Sequence, residues 1–360
     1  MSEKTYRRLA QKLDAIPNGF PATASGIELR LLAKIFTPEE ANLAAEMRLS
    51  YESAAAIAGR AGVDPQEAYR TLKGMAKKGL LRVRRGDHEL LFALLPFVVG
   101  FYEEQLPRMD RELAELAEQY FREIGGQGIL DVSPAVHRII PVAEAIPVDL
   151  EVFPHEQAVA IVESARSWGV RECICRVQQK LLGKGCDRLL EACLILAPVE
   201  GAFADDAVTR AITKEDALQI LQRAQEAGLV HSTGNYRDRH FYICNCCTCC
   251  CAVLRALVEF EVPTAVARSG FYAVVDETAC LGCGTCTERC PFGAIYLPAD
   301  VAVVDVGRCL GCGLCVPTCP AESIHLHNRP AEDLAPLPAD IKEWMVYRAQ
   351  ARELRLEEIV

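Results

Sequence analysis

The sequence predicts an α+β chain built from several folded parts, and three observations carry that prediction. Near the C-terminus one cysteine pattern occurs twice, as Cys280-x2-Cys283-x2-Cys286-x3-Cys290-Pro291 and Cys309-x2-Cys312-x2-Cys315-x3-Cys319-Pro320. Residues 27–94 pass through successive stretches with apolar positions at helical spacing, then two that alternate as strands do. Between these, ten cysteines fall within 79 residues, from Cys173 to Cys251, in a segment that mixes helix and strand signals. The expected parts are a domain over 1–98, a helical connector over 99–138, a cysteine-rich middle α/β domain over 139–265, the repeat over 266–330 and a helical tail over 331–360.

The chain has 360 residues and a formal net charge of −10, unevenly spread. Residues 1–95 hold 15 Lys/Arg against 11 Asp/Glu, whereas residues 96–360 hold 24 against 38. No stretch approaches the roughly 18 apolar residues that a spanning helix needs. The longest, Leu90 to Gly100, is interrupted by Pro96. The first residues, MSEKTYRRLAQKLD, are polar and lack the apolar core of a signal peptide. The expectation is a cytoplasmic protein without membrane insertion. In that setting 18 cysteines read as thiolate metal ligands rather than disulfides.

The repeat has a chemical logic. A cubane iron needs a soft thiolate, and four irons need four of them. Three cysteines two residues apart wrap three corners of one cube, and the proline after the fourth turns the chain away. The spacing resembles that of bacterial two-cluster ferredoxins, in which the fourth cysteine ligates the other cluster. The resemblance implies two [4Fe–4S] clusters, one on Cys280, Cys283, Cys286 and Cys319 and the other on Cys309, Cys312, Cys315 and Cys290. Aligning 280–297 with 309–326 matches 10 of 18 positions, which predicts a pseudo-twofold pair of half-domains. Gly282, Gly284, Gly311 and Gly313 are expected to let backbone N–H groups approach the cluster sulfurs. Ile295 and Ile324 would cover the clusters, with Phe271–Val275 and Val301–Val304 as strands leading into the loops. Zinc is the weaker reading, because two four-cysteine zinc sites would use CxxC pairs.

Residues 25 to 95 are read as a winged helix. Ile27–Phe36 is apolar at helical spacing, and Thr37-Pro38-Glu39-Glu40 combines a cap, a first-position proline and first-turn acids. Ser50–Ala61 is expected as the next helix, with Ala54, Ile57, Ala58 and Ala61 on one face. Asp64 would cap a third, in which Ala68, Leu72, Met75 and Ala76 face inward until Gly79 ends it. Leu80–Arg84 and Glu89–Leu94 then alternate across Arg85-Gly86-Asp87 as a hairpin. This phrasing resembles the winged helix-turn-helix domains of bacterial regulators. Arg70, Lys73 and Lys77, with Arg82, Arg84 and Arg85, would be the DNA contacts. A net of +4 over 1–95 is modest for a nucleic-acid footprint, so protein docking or dimerisation is preferred to DNA, and a homo-oligomer stays open. Tyr102–Ile124 is expected as one amphipathic helix, with Leu106, Met109, Leu113, Leu116 and Tyr120 as its stripe.

In the middle domain, a helix from His155 is expected to run into a strand bearing Cys173 and Cys175 on one face. Thr213–Gly228 reads as a capped helix. Tyr242–Asn245 delivers Cys244, Cys246, Cys247, Cys249, Cys250 and Cys251, and the helix over Ala252–Phe260 places Cys250 and Cys251 near its N-terminus. The ten cysteines of this segment, which include Cys186 and Cys193, are expected to hold at least one further Fe–S centre, with the ligand subset open. Cys173, Cys175, Cys186 and Cys193 could form one set, or pair with the 244–251 run. A zinc site, a redox-sensing thiol group and inert buried cysteines are the lesser alternatives. His231, His240, His325 and His327 are weaker ligand candidates.

The segments CICR (173–176), EAGLVH (226–231) and ICNCCTCCC (243–251), with the double motif, resemble a group of ferredoxin-like 4Fe–4S binding proteins of anaerobic microbes. That resemblance covers residues 140–326 and implies an electron-transfer role alongside redox partner proteins. No Walker loop, dinucleotide fingerprint or Ser/His/Asp constellation is visible, and no catalytic residue is assigned. The leading expectation is an electron-transfer protein or oxidoreductase subunit that relays low-potential electrons. The alternatives are a redox-sensing winged-helix regulator and an enzyme centred on the middle cysteines.

Overall fold

The computed structural model describes residues 2–146 and 154–355, and the chain divides into two units. One comprises Met1–Ser133, Val177–Lys184 and Met345–Val360, and the other Pro134–Arg176 and Gly185–Trp344. Among the described residues, no helix is long and apolar enough to cross a membrane.

The first unit opens with α1 (Ser2–Asp14), a helix in a stretch that reads in sequence only as polar. Its Tyr6, Leu9 and Leu13 are nonetheless buried. Next come α2 (Ile27–Ile35) and α3 (Pro38–Ala44). The predicted start of α3 is a full capping box: Glu40 N donates to Thr37 Oγ1 at 3.3 Å, and Thr37 N donates to Glu40 Oε2 at 2.9 Å. The following helix begins later than expected. Glu52–Ser53 form a short strand, β1, and Ser53 caps α4 (Ala54–Ala61). Asp64 caps α5 (Pro65–Lys77) by accepting from Gln66 N and Glu67 N. Strands β2 (Leu81–Arg85) and β3 (Leu90–Leu94) complete a three-stranded antiparallel sheet in the order β1-β3-β2.

The expected helix Tyr102–Ile124 is interrupted. Glu103–Arg108, with Pro107 inside, is a 3-10 turn, and a new helix, α6 (Arg111–Ile124), starts where Asp110 accepts from Leu113 N at 2.8 Å. Six rings from Phe20, Phe97, Phe101, Tyr102, Tyr120 and Phe121 pack against each other behind it. Arg348, on the C-terminal helix Ile341–Ala351, is fully buried and donates to the carbonyls of Pro17, Val132, Asn18 and Ile129. The last five residues of the expected tail lie outside the described residues.

The second unit is organised on a mixed sheet. Its elements are β4 (His137–Ile140), α7 (Ala158–Glu163), β5 (Ser167–Glu172), α8 (Ile174–Leu181, which continues into the first unit), β6 (Glu191–Ala197), β7 (Arg210–Ile212), α9 (Lys214–Glu226), β8 (Val230–Gly234), β9 (Tyr242–Cys246), α10 (Ala252–Val258) and β10 (Val266–Ala267). The seven strands run β10-β4-β8-β9-β6-β5-β7, with only β10 and β4 parallel. Helices α7 and α9 supply Ile161, Val162, Ala217 and Leu221 to a core completed by Val170, Leu194, Leu196 and Ile243. Because strand side chains alternate, Cys193 and Cys244, next to Leu194 and Ile243, project from the other face. They are also direct cross-strand partners.

Downstream, β11 (Phe271–Val275) pairs antiparallel with β14 (Ile324–Asn328), and β12 (Ile295–Tyr296) with β13 (Val303–Val304). The short helix α11 (Thr285–Arg289) lies between them in sequence. Arg289 donates to the carbonyls of Gln225 and Glu226 at the end of α9, which fixes the first repeat to the sheet. The buried pair Arg138–Glu156, at 3.0 Å, does the same near the second repeat, since Glu156 also accepts from Gly270 N at 2.7 Å.

His137 on β4 is buried and its Nε2 has no partner within the protein. Burial pushes its pKa down to about 4. The unfolded chain titrates near 6.5, so between these values only the unfolded state takes up the proton. Stability contributed by the neutral ring is present above about pH 6.5 and is lost as pH falls toward 4, by at most about 1.4 kcal/mol per unit. The substitution His137→Leu is expected to shrink the drop in thermal midpoint between pH 7 and pH 5. An unchanged drop refutes this account.

Candidate metal centres

The two cysteine triads fold into matching loops, and each closes on the fourth cysteine of the other repeat. One cavity is lined by Cys309, Cys312, Cys315 and Cys290, with Phe292, Ile295, Leu314 and Leu326 as apolar cover. A second is lined by Cys280, Cys283, Cys286 and Cys319, with Ala302 and Ile324 among its walls. The structure thus brings Cys290 beside the second triad and Cys319 beside the first. Ile295 and Ile324 also stand where the repeat alignment put them.

Two of the loop glycines have a backbone reason. Gly282 and Gly311 occupy matching repeat positions at φ of +64° and +70°. A Cβ at Gly282 would lie 2.5 Å from Asp300 O, and one at Gly311 would lie 2.2 Å from Phe271 O. Each loop therefore packs backbone to backbone, which no side chain permits. N–H donors to cysteine sulfur come from other residues: Ala294 N to Cys290 Sγ at 3.3 Å, Ser323 N to Cys319 Sγ at 3.4 Å and Ala302 N to Cys280 Sγ at 3.5 Å. Ala294 and Ser323 are again equivalent in the repeat. Such donors favour a charged sulfur. Four convergent thiols, apolar walls and amide donors suit a [4Fe–4S] group at each place.

The two sites differ in exposure. Cys309, Cys312 and Cys315 are buried, and Leu310 beside them is 4 % exposed. In the other loop Cys283 is exposed and Leu281 is 71 % exposed. Burial pushes the Cys312 thiol up to about 12, whereas hydrogen bonding to Thr285 lowers Cys283.

The ten middle cysteines separate into six and four. Strand β5 ends at Glu172, after an irregularity at Arg171/Glu172, so Cys173 and Cys175 do not share a strand face as expected. Cys173 follows the strand and Cys175 lies in the first turn of α8. The helical turn brings their thiols into a hydrogen-bonded row: Cys173 to Cys175, Cys175 to Cys251, Cys251 to Cys246, Cys246 to Cys244, and Cys244 to Cys193. Hydrogen bonds from Cys244 and Cys251 lower Cys246 to about 6. The other four, Cys186, Cys247, Cys249 and Cys250, gather separately, with every Sγ within 4.8 Å of the rest. Cys186 thus does not join Cys173, Cys175 and Cys193 in one set.

Arg176 ties the two groups together and was missed as a functional residue, although it follows Cys175 directly in sequence. It is 2 % exposed, donates to Leu189 O at 2.8 Å and to Asn245 O at 2.5 Å, and lies beside Cys173, Cys246 and Cys247. Burial alone would lower its pKa, but these thiols together raise it above its ordinary value. Hydrogen bonding from Cys250, and then Arg176, bring Cys247 down to about 4.

The histidines do not join the thiols. His231 is buried with Nδ1 2.5 Å from Asn245 Oδ1, and His240 bridges Thr233 Oγ1 and Arg237 O. His325 and His327 lie exposed on β14.

Gly311→Ala is expected to lower bound iron and thermal stability far more than Gly284→Ala. Both positions have positive φ, costing about 1–2 kcal/mol for a side chain, but at Gly284 the nearest atom to a Cβ is 3.9 Å away. Equal losses, read by iron per chain and thermal midpoint, refute the backbone-contact argument.

Residues 273–326 match the family model of the 4Fe-4S dicluster domain. Neither a curated protein nor a solved structure matches the chain. The C-terminal part of the second unit is a ferredoxin-like 4Fe–4S binding domain.

Proposed function

We propose that this protein relays low-potential electrons, through two [4Fe–4S] clusters and one further Fe–S centre, to a partner reductase or metal centre. The observation that carries the reading is the pair of cavities, each ringed by four cysteines of which one is exchanged between the repeats. A [4Fe–4S] group supplies reversible one-electron chemistry. The chain's part is to hold it with Cys280, Cys283, Cys286 and Cys319, or with Cys309, Cys312, Cys315 and Cys290. Phe292, Leu314 and Leu326 exclude water, and the amides of Ala294, Ala302 and Ser323 stabilise charge on sulfur. An excess of 14 acidic residues over 96–360 suits docking on a basic partner face.

The row Cys173, Cys175, Cys251, Cys246, Cys244 and Cys193 supports the third centre. Six thiols packed beside a buried guanidinium have no structural use as inert apolar residues, and thiolates bound to iron would be balanced by Arg176. Anaerobically purified protein is expected to carry about twelve irons in cubane form, four for each of three clusters. A count near eight sinks the third centre, and substitution of Cys246 by Ala should then change nothing.

The first unit supports a second reading. The order α2, α3, β1, α4, α5, β2, β3 suits a winged helix, and Arg70, Lys73, Lys77, Arg84 and Arg85 are exposed on α5 and β2. Lys73 already lies over Tyr69, at 5.6 Å, and Arg84 over Tyr51, at 4.5 Å, which suits a protein-docking surface. No salt-sensitive gel shift is expected with duplex DNA in either redox state. A shift that changes on reduction would favour a redox-sensing regulator.

A further inference from the structure

Four sulfurs in the second unit lie closer together than a cubane would hold them. Cys186 Sγ is 3.9 Å from Cys247 Sγ and 3.8 Å from Cys250 Sγ, and Cys249 Sγ is 3.8 Å from Cys250 Sγ. All four lie within 4.8 Å of one another. Thiolates on one tetrahedral ion, at about 2.3 Å from it, stand about 3.8 Å apart along each edge. A cubane places a separate iron under each thiolate, so its four sulfurs spread wider. The same chain offers the contrast. The dicluster cysteines ring two separate cavities, and among the described residues only the 186/247/249/250 set draws together this tightly.

We propose that Cys186, Cys247, Cys249 and Cys250 bind a single tetrahedral ion of the zinc(II) or iron class, separate from every Fe–S cluster. The surroundings fit its charge. Four thiolates on a divalent ion leave two negative charges. Arg188 Nη1 lies 3.6 Å from Cys249 Sγ, and the buried Arg176 lies beside Cys247. The surroundings also give the ion a task. Cys247, Cys249 and Cys250 come from the turn between β9 and α10, and Cys186 from the loop between α8 and β6. An ion there staples two loops that share no strand pairing. It also sets the spacing of Cys246 and Cys251, which flank the turn and belong to the six-thiol row.

The balance of metal against sulfide tests this on the full-length, anaerobically purified protein without any variant. Each cubane adds iron and acid-labile sulfide in equal number, so total zinc plus iron is expected to exceed sulfide by one per chain. An excess of zero overturns the proposal, however many cubanes are present. Cys247→Ala/Cys250→Ala and Cys186→Ala should each remove that single ion while sulfide stays constant. Loss of four irons with four sulfides would instead assign a cubane to these cysteines. Retained dicluster iron shows that the variants fold. X-ray absorption, at the zinc edge if zinc is the ion found, should give four sulfurs at about 2.3 Å with no metal–metal neighbour. If the ion is iron, mild oxidation of the protein should raise a high-spin ferric EPR signal that the double variant lacks.

Discussion

Negative charge on buried sulfur is the constraint around which the second unit is arranged. All 18 cysteines are free, and ten of them crowd one end of a single sheet. A thiolate in an apolar interior is costly without a positive partner, and a protonated thiol is a poor hydrogen-bond donor. The protein answers with two guanidiniums, Arg176 and Arg188, and with thiol–thiol hydrogen bonds that concentrate charge on Cys246 and Cys247. The sheet supports this directly. Pairing of β6 with β9 sets Cys193 opposite Cys244, while Asn245, on the core face, donates to Ala192 O and its carbonyl receives Arg176.

The dicluster segment depends on the same sheet. Ser269 Oγ donates to Gly311 O at 2.8 Å, Arg329 Nη2 to Cys309 O at 2.5 Å, and Val142 N to Cys312 O at 3.0 Å. The loop that carries Cys309 and Cys312 is thereby held by residues just past β4, β10 and β14, one through its backbone and two through their side chains.

Much of this was legible in the sequence because some signals are local. Caps at Thr37, Asp64 and Thr213 act within one turn, and the glycine and proline punctuation of the cysteine triads fixes loops of a few residues. The crossed grouping of the eight dicluster cysteines was expected on other grounds: the resemblance to two-cluster ferredoxins implies the crossing, and the repeat makes the second half an image of the first. The middle cysteines lacked both aids. Whether Cys173 and Cys175 end a strand or begin a helix depends on where the pairing of β5 with β6 shifts register, at Arg171/Glu172, a tertiary event. Cys186 stands 61 residues from Cys247, and nothing in its neighbours announces the contact. The helix Ser2–Asp14 was hidden by its polar composition, since Tyr6, Leu9, Ala10 and Leu13 alone mark its inner face among the described residues.

The unequal exposure of the two repeats has a further consequence. Ten identities in 18 positions build two nearly equivalent cradles, yet one has Leu281 and Cys283 in solvent and the other has Leu310 and Cys309 enclosed. Water would screen charge on a cluster held in the first, and only protein would do so in the second, where the same charge would cost more to hold. Duplication followed by unequal packing thus gives a symmetric motif a polarity, with its solvent-facing end the easier place for charge to rest.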